Sequence, residues 1–335
     1  MAKLFLGLDL GGTNVKAGLA DADGKLLGKL SMPTGSSPRD LTGKNVAARM
    51  VQAGQDLIAQ VGARNSDVAA VGILSPGQAS LARGIVFRAA NFPLWRNVPI
   101  RDLVAKGLGI PGVLENDGNA AAYGEYWAGA GRGGKIRNLI IFTLGTGVGG
   151  GVVLEGQVIH GSCDFAAEVG HMIMIPDGEL CGCGQRGCLE AYCSASSTGR
   201  RATGLLQTSR VSSSLRAVLQ AQGQVTAADI AAHAKKGDAF ARERWEESCK
   251  FIALAAINAI HWFDPQMIVL AGGMSLAGRF LLDGVKRHFK AQWWKMVPNS
   301  AALTLAQLGN DAGIIGAAGV AKNAYDRGAL PRIGT

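Results

Sequence analysis

Short apolar blocks fill the first third of the chain, and apolar positions at helical spacing return later. Leu4 to Leu10 is an apolar run interrupted by Asp9 and ending in Gly11-Gly12-Thr13-Asn14, which predicts a strand entering a glycine turn. Val15 to Ala20 reads as the return strand, and Asp23-Gly24 as the next hairpin turn. Spaced apolar positions predict helices over 42–61 and Val98 to Leu108. Between them lies a short buried strand, Ala69 to Ile73, closed by Ser75-Pro76-Gly77. Val113 to Glu115 reads as a strand running into Asn116-Asp117-Gly118-Asn119, with a helix from Ala120 to Tyr126.

The opening pattern then recurs. Asn138 to Leu144 is a strand, Gly145 to Gly151 a glycine turn, Val152 to Leu154 a return strand, and Glu155-Gly156 an acidic hairpin turn. This weak repeat predicts two similar halves, each offering a glycine hairpin to one nucleotide. Helical spacing resumes over 226–235 and 238–262, Met267 to Leu270 reads as a buried strand ending in Ala271-Gly272-Gly273, and Gly313 to Asn323 as a small-residue helix suited to close packing.

Composition narrows the class. With 335 residues, 48% hydrophobic and 18% charged, the chain is expected to form two domains with a sizeable core. The net charge of +9 could attract an anionic substrate, but no basic run or aromatic platform points to nucleic acid. No segment is apolar enough to span a bilayer, and neither the N-terminal residues nor Ile333-Gly334-Thr335 read as a sorting signal, so a cytoplasmic protein is expected.

Three sets of residues carry chemistry. Asp9, Gly11, Gly12, Thr13 and Asn14 offer backbone N–H donors, a hydroxyl and a carboxylate able to hold Mg2+ directly or through water; Gly145, Thr146 and Gly147 offer similar donors. Neither turn is a P-loop, because no Gly-Lys-Ser/Thr follows. One such turn alone is most simply an ordinary hairpin, but two in matching places plus Gly272-Gly273 suggest ATP. Asp117, after a strand and before a helix, suits a base that accepts the proton of an attacking hydroxyl while Asn116 holds a neighbouring one; the plain alternative is helix capping by Asp117 or Asn119. His171, Cys181, Cys183 and Cys188, with intervening glycines, make a closed tetrahedral Zn2+ set of structural type; free thiols or a Cys181–Cys183 redox pair are the alternatives. Cys163, Cys193 and Cys249 read as small apolar residues. Glu168 and Glu190 flank the metal set and suit paired sugar hydroxyls, or are solvated surface acids.

With these motifs in order, the chain resembles the ROK family of sugar kinases, and its bacterial-type glucokinases in particular. The resemblance rests on Asp9-Leu-Gly-Gly-Thr-Asn14, Glu115-Asn-Asp-Gly-Asn119, Leu144-Gly-Thr-Gly-Val-Gly149, Glu168-Val-Gly-His171 and Cys181-Gly-Cys-Gly-Gln-Arg-Gly-Cys-Leu-Glu190. It implies an α/β protein with the two-domain actin/hexokinase-like (ribonuclease H-like) fold, ATP and sugar meeting in a central cleft, and Asp117 as base. It also implies sugar contacts from Asn91, Asn116, Glu168, His171 and Glu190. Phosphate contacts would come from Gly12, Thr13, Thr146 and Gly147, with Gly272-Gly273 near the adenosine. A homodimer is implied. The expected division is 1–117 plus 316–335 as a smaller domain and 118–315 as a larger one carrying the zinc site. Two segments depart from the family: Ser75-Pro76-Gly77-Gln78-Ala79-Ser80 lacks the Asp that usually follows Pro-Gly, and Ala90 precedes Asn91 where Pro is frequent. The expected reaction is ATP-dependent phosphorylation of a hexose, glucose first and an N-acetylated hexosamine or other hexose second. A sugar-responsive transcription regulator is disfavoured, because the first phosphate-loop strand begins near Leu4 and leaves no helix-turn-helix before it.

Overall fold

The structure, a computed structural model, describes residues 3–298 and 301–333. Residues 1–2 and 334–335, which enter the sorting-signal reading, lie outside the described residues, as do 299–300. The chain packs into two units, Met1–Lys135 with Gly156–Ala166 and Gln307–Thr335, and Ile136–Glu155 with Ala167–Ala306.

In the first unit the expected hairpin forms from β1 (Leu4–Leu10) and β2 (Asn14–Ala20), and β3 (Leu26–Pro33) extends it. The chain continues through α1 (Gly43–Gln60), β4 (Val68–Leu74), the small hairpin of β5 (Gln78–Ser80) and β6 (Ile85–Arg88), α2 (Ile100–Leu108), β7 (Gly112–Glu115) and α3 (Asp117–Trp127). The sheet order is β3-β2-β1-β4-β7, antiparallel through the first three strands and parallel from β1 to β7. Alternation along β1 sorts its side chains between two faces. Leu6, Leu8 and Leu10 join Met50 and Leu57 of α1 and Val104 and Leu108 of α2 in one core. Phe5 packs on the opposite side with Ala318 and Ala321. Gly7 and Asp9 share the face of Phe5.

The second unit opens with the second hairpin, β8 (Leu139–Leu144) and β9 (Val148–Leu154); β10 (Gln157–Val158) lies in the segment that belongs to the first unit. Helices α4 (Glu190–Cys193), α5 (Ala195–Thr208), α6 (Leu215–Gln222), α7 (Ala227–Lys235) and α8 (Ala239–Phe263) follow, then β11 (Met267–Ala271), α9 (Arg279–Gln292) and β12 (Ala302–Leu305). The strand order β9-β8-β11-β12, antiparallel in the hairpin and parallel from β8 to β12, repeats β2-β1-β4-β7 of the first sheet. The repeated glycine hairpin therefore marks a repeated topology.

Two details differ from the sequence reading. The second glycine turn ends at Gly147, and β9 incorporates Gly149, Gly150 and Gly151. A side chain on Gly150 would strike Val169 and the Ala167 carbonyl, so glycine here makes room for the neighbouring segment instead of bending the chain. The other detail is α3, which a division after residue 117 places with the second half. It instead packs along α10 (Ala312–Asp326), the small-residue helix by which the chain returns to the first unit.

Backbone meets backbone around α10. A Cβ on Gly7 or Gly72 would collide with the carbonyl of Ile314 or Ala317 of α10, and one on Gly316 with the carbonyl of Ala120 of α3. On the α3 side, Gly124 lies within 3.1 Å of the Gly316 backbone, measured from the position of a Cβ. Neither partner can yield cheaply, because both are held in regular structure. Gly72→Ala is therefore expected to destabilise the protein by about 3 kcal/mol or more in urea unfolding. Gly204→Ala, within α5 and with open space beside it, is expected to stabilise by about 0.5–1 kcal/mol.

Candidate active site

Parallel pairing aligns Asp9 with Leu74 and Leu74 with Glu115, so the first candidate residues sit together at the carboxyl ends of β1, β4 and β7. Ligands of open α/β sheets gather at such ends. The β1–β2 turn is closed by the Gly11 N–H donating to the Asn14 carbonyl at 2.9 Å, and Thr34 supports it by donating its hydroxyl to the Gly11 carbonyl at 2.8 Å. Gly12, Thr13 and Asn14 are exposed. Asn91 reaches this turn: its amide nitrogen lies 3.0 Å from where a Cβ on Gly12 would stand, so a larger residue at 12 would displace it. Asp9 is half-buried beside Gly313 at the start of α10. Burial pushes its carboxyl above the ordinary value; Lys16, its cross-strand partner, pulls it down, and Asp117 pushes it up again. A cation at the Asp9 carboxylate would offset that cost.

The helix cap is neither Asp117 nor Asn119. Asn116 takes that position, its side-chain oxygen accepting from the N–H groups of Gly118 at 2.8 Å and Asn119 at 3.3 Å. Its amide N–H group remains a donor. The cap frees Asp117, which is exposed at the first helical position, with one carboxylate oxygen 2.8 Å from the Gly118 nitrogen. Asn119 is buried and donates to Glu115 at 3.0 Å. Glu115 is buried too, accepting from the Asn116 N–H at 2.9 Å and lying 2.8 Å from His160. No sequence motif pointed to His160.

In the second unit, Gly145 closes its turn by donating to the Gly147 carbonyl at 3.0 Å, and Thr146 is exposed. Gly272 lies at the neighbouring strand end with φ 84° and ψ −177°, a region open essentially only to glycine, and a Cβ there would press on the backbone of Leu144. Thr146, Glu190 and Gly273 line a groove of about 1360 Å³, together with Ala195, Arg200 and Met274. The groove lies wholly within this unit and is large enough for a nucleotide. Its α5 wall went unread in the sequence, because Ser, Thr, Gly and Arg dominate that helix and hide its apolar period.

His171, Cys181, Cys183 and Cys188 converge, with one donor atom from each lying within 4.8 Å of the others. The Cys183 and Cys188 sulfurs are 3.7 Å apart, and the Cys181 sulfur is 3.9 Å from His171 Nδ1. Tetrahedral zinc would set these separations at about 3.5–3.8 Å. All six cysteines are free thiols, so Cys181 and Cys183 form no disulfide. Burial pushes the Cys181 thiol up to about 12, while the Gln185 N–H holds Cys183 down to about 7. Cys163 departs from the sequence reading: it is exposed, whereas Cys193 and Cys249 are buried as expected. Glu190 joins the cluster to the turn, with one oxygen accepting from the Val148 N–H at 2.9 Å and the other 3.4 Å from the Cys181 sulfur. Glu168 is exposed just before the turn carrying His171.

Similarity to known proteins agrees with this geometry. The profile of the ROK family matches residues 5–324. The chain is 34% identical over 328 residues to the glucokinase of Halalkalibacterium halodurans, covering 97% of each chain. It is 31% identical over 315 residues to the N-acetylmannosamine kinase of Yersinia pseudotuberculosis, covering 93% of this chain and 96% of that one. Among solved structures, the ROK hexokinase of Thermus thermophilus superposes with a TM-score of 0.80 at 31% identity, covering 97% of this chain and 99% of that one. A ROK glucokinase of Streptomyces griseus, solved with glucose and AMPPNP, gives 0.75 at 32% identity, covering 96% and 99%. The fold is the actin/hexokinase-like α/β fold, and matches of this length and identity make the chain a member of the ROK family.

Proposed function

We propose that the protein is a sugar kinase that transfers the γ-phosphate of ATP to a hydroxyl of glucose, giving glucose 6-phosphate, with Asp117 as general base. The observation that carries this reading is the exposed Asp117 carboxylate, presented by the Asn116 cap on the same unit as the Gly11-Gly12-Thr13 turn. Glucokinase relatives, and the glucose and AMPPNP bound by the Streptomyces griseus structure, support the substrates.

Asp117 accepts the hydroxyl proton as the phosphoryl group arrives. The transition state is loose, so the residues act mainly by positioning and charge stabilisation. Asn91, the free amide of Asn116, Glu168, His171 and Glu190 hold the remaining sugar hydroxyls. Gly12, Thr13, Thr146 and Gly147 donate to phosphate oxygens, Gly11 and Asn14 close the first turn, and Gly272 and Gly273 let the adenosine approach the second unit. Mg2+, held through Asp9, would neutralise phosphate charge. Zn2+ on His171, Cys181, Cys183 and Cys188 would fix Glu168 and Glu190 without touching the reacting atoms. A cytoplasmic homodimer feeding glycolysis completes the reading.

The second reading, an N-acetylmannosamine or related kinase, draws support from the 31% identical relative. A panel of hexoses and N-acetylhexosamines with coupled ADP detection separates the two; glucose is expected to give the highest kcat/KM, and a higher value for an N-acetylated sugar would reverse the order.

Asp117→Ala is expected to lower kcat by about 10²–10⁴-fold while glucose binding, followed by calorimetry, persists. An Asp117→Ala enzyme of normal turnover would remove the residue from the base role. Elemental analysis is expected to find about one zinc per chain in the wild type and little in Cys183→Ser, which should also melt earlier. Wild-type protein free of zinc would refute the metal site.

A further inference from the structure

We propose that His160 is a positioning residue for this reaction, clamping Glu115 and through it holding the Asn116-Asp117 turn to the segment that runs into Glu168. The inference rests on the phosphoryl-transfer reading and adds a residue outside its motifs. Glu115 is buried, and both of its oxygens are engaged. One accepts from the Asn116 N–H at 2.9 Å and from the Asn119 amide at 3.0 Å; the other faces His160 Nε2 at 2.8 Å. The backbone on which Asp117 is mounted therefore depends on where this carboxylate stands. Burying a carboxylate without a counter-charge is costly, and the imidazolium supplies one.

His160 belongs to a segment pinned at three places. Gln157 accepts from Asn323 at 3.2 Å and from Arg327 at 2.7 Å, and Asp164 accepts from the Leu81 N–H at 3.0 Å, just beyond β5. His160 is the pin that reaches the Asp117 turn. The segment is also folded back on itself, with the Ala166 N–H donating to the His160 carbonyl at 3.0 Å. Two residues further on comes Glu168, the first proposed sugar ligand of the second unit. Removing the clamp would leave Glu115 free to reorient and Asp117 less well aimed.

The charged groups facing the imidazole are Glu115 from β7, Asp164 from its own segment and Arg327 just past α10. The hydrogen bond to Glu115 raises the His160 pKa above its ordinary value, against the opposing effect of burial. The imidazolium contribution is fully present below about pH 6.5 and fades as the pH rises through the raised folded value of His160.

The test compares wild type, His160→Ala and His160→Gln in full-length enzyme with glucose and ATP, across about pH 6–9. His160→Ala is expected to lower kcat about tenfold with the KM for ATP unchanged. His160→Gln, which keeps an N–H donor but carries no charge and does not titrate, is expected to restore kcat to the level the wild type reaches at the alkaline end and to hold that level across the range, without the wild-type decline. Wild-type kcat in His160→Ala, a His160→Gln no better than the Ala variant, or an unchanged alkaline decline in His160→Gln would each overturn the proposal. If His160→Ala does not fold, the His160→Gln profile alone decides. A wild type inactive on every hexose would instead overturn the kinase reading, and this proposal with it.

Discussion

The first unit is organised by the contact of α10 with the sheet and with α3, where carbonyl groups occupy the space of absent side chains. Gly7 and Gly72 admit the helix to the sheet, and Gly316 admits it to α3. Dispersion between close-packed backbones is strong only at such short range, and any added methyl is felt at once. The contact also places chemistry. Gly313, in the first turn of α10, lies beside Asp9, so the strand face that meets the helix also presents the carboxylate. Because α3 is bound to α10 along its length, the Asn116 cap and Asp117 at its start are carried to a fixed place at the ends of β4 and β7.

The two sheets use one topology for different chemistry. In each, a glycine hairpin is followed by two parallel strands, and the candidate residues lie at their carboxyl ends. The first adds Asn116 and Asp117 at the exit of β7, the acid–base end of the proposed reaction. The second adds Gly272 at the exit of β11, a groove along α5 and a Cys/His cluster joined to the turn by Glu190. A single carboxylate thus lies against both the cluster and the turn, one oxygen on each.

Much of this was readable from the residues because glycine turns, a Cys/His set and strand-ending carboxylates are local signals. Both hairpins, β4, β7, β11, α1 and α10 follow from apolar patterning. What escaped depends on tertiary placement. The cap of α3 falls on Asn116 and not on Asp117 or Asn119, because the exit geometry of β7, held by Glu115, decides which residue stands at the boundary. His160 pairs with Glu115 across 45 residues, and no spacing rule joins them. Glycines 149–151 look like a turn but form a strand, since they pair with β8, and Gly150 leaves room for the neighbouring Ala167–Val169 segment. Cys163 looks apolar by composition yet is exposed, because it lies on the surface of the segment before Glu168.

The helix that completes the first sheet lies about 300 residues along the chain from the strand it covers. During synthesis, β1 and β4 emerge long before α10, and their Phe5 face must wait uncovered while the whole second unit is made. The second unit is interrupted only by the short 156–166 segment and can collapse earlier. Chains still lacking α10 therefore leave the Phe5 face and the positions of Gly7 and Gly72 uncovered until the last part of the chain is made.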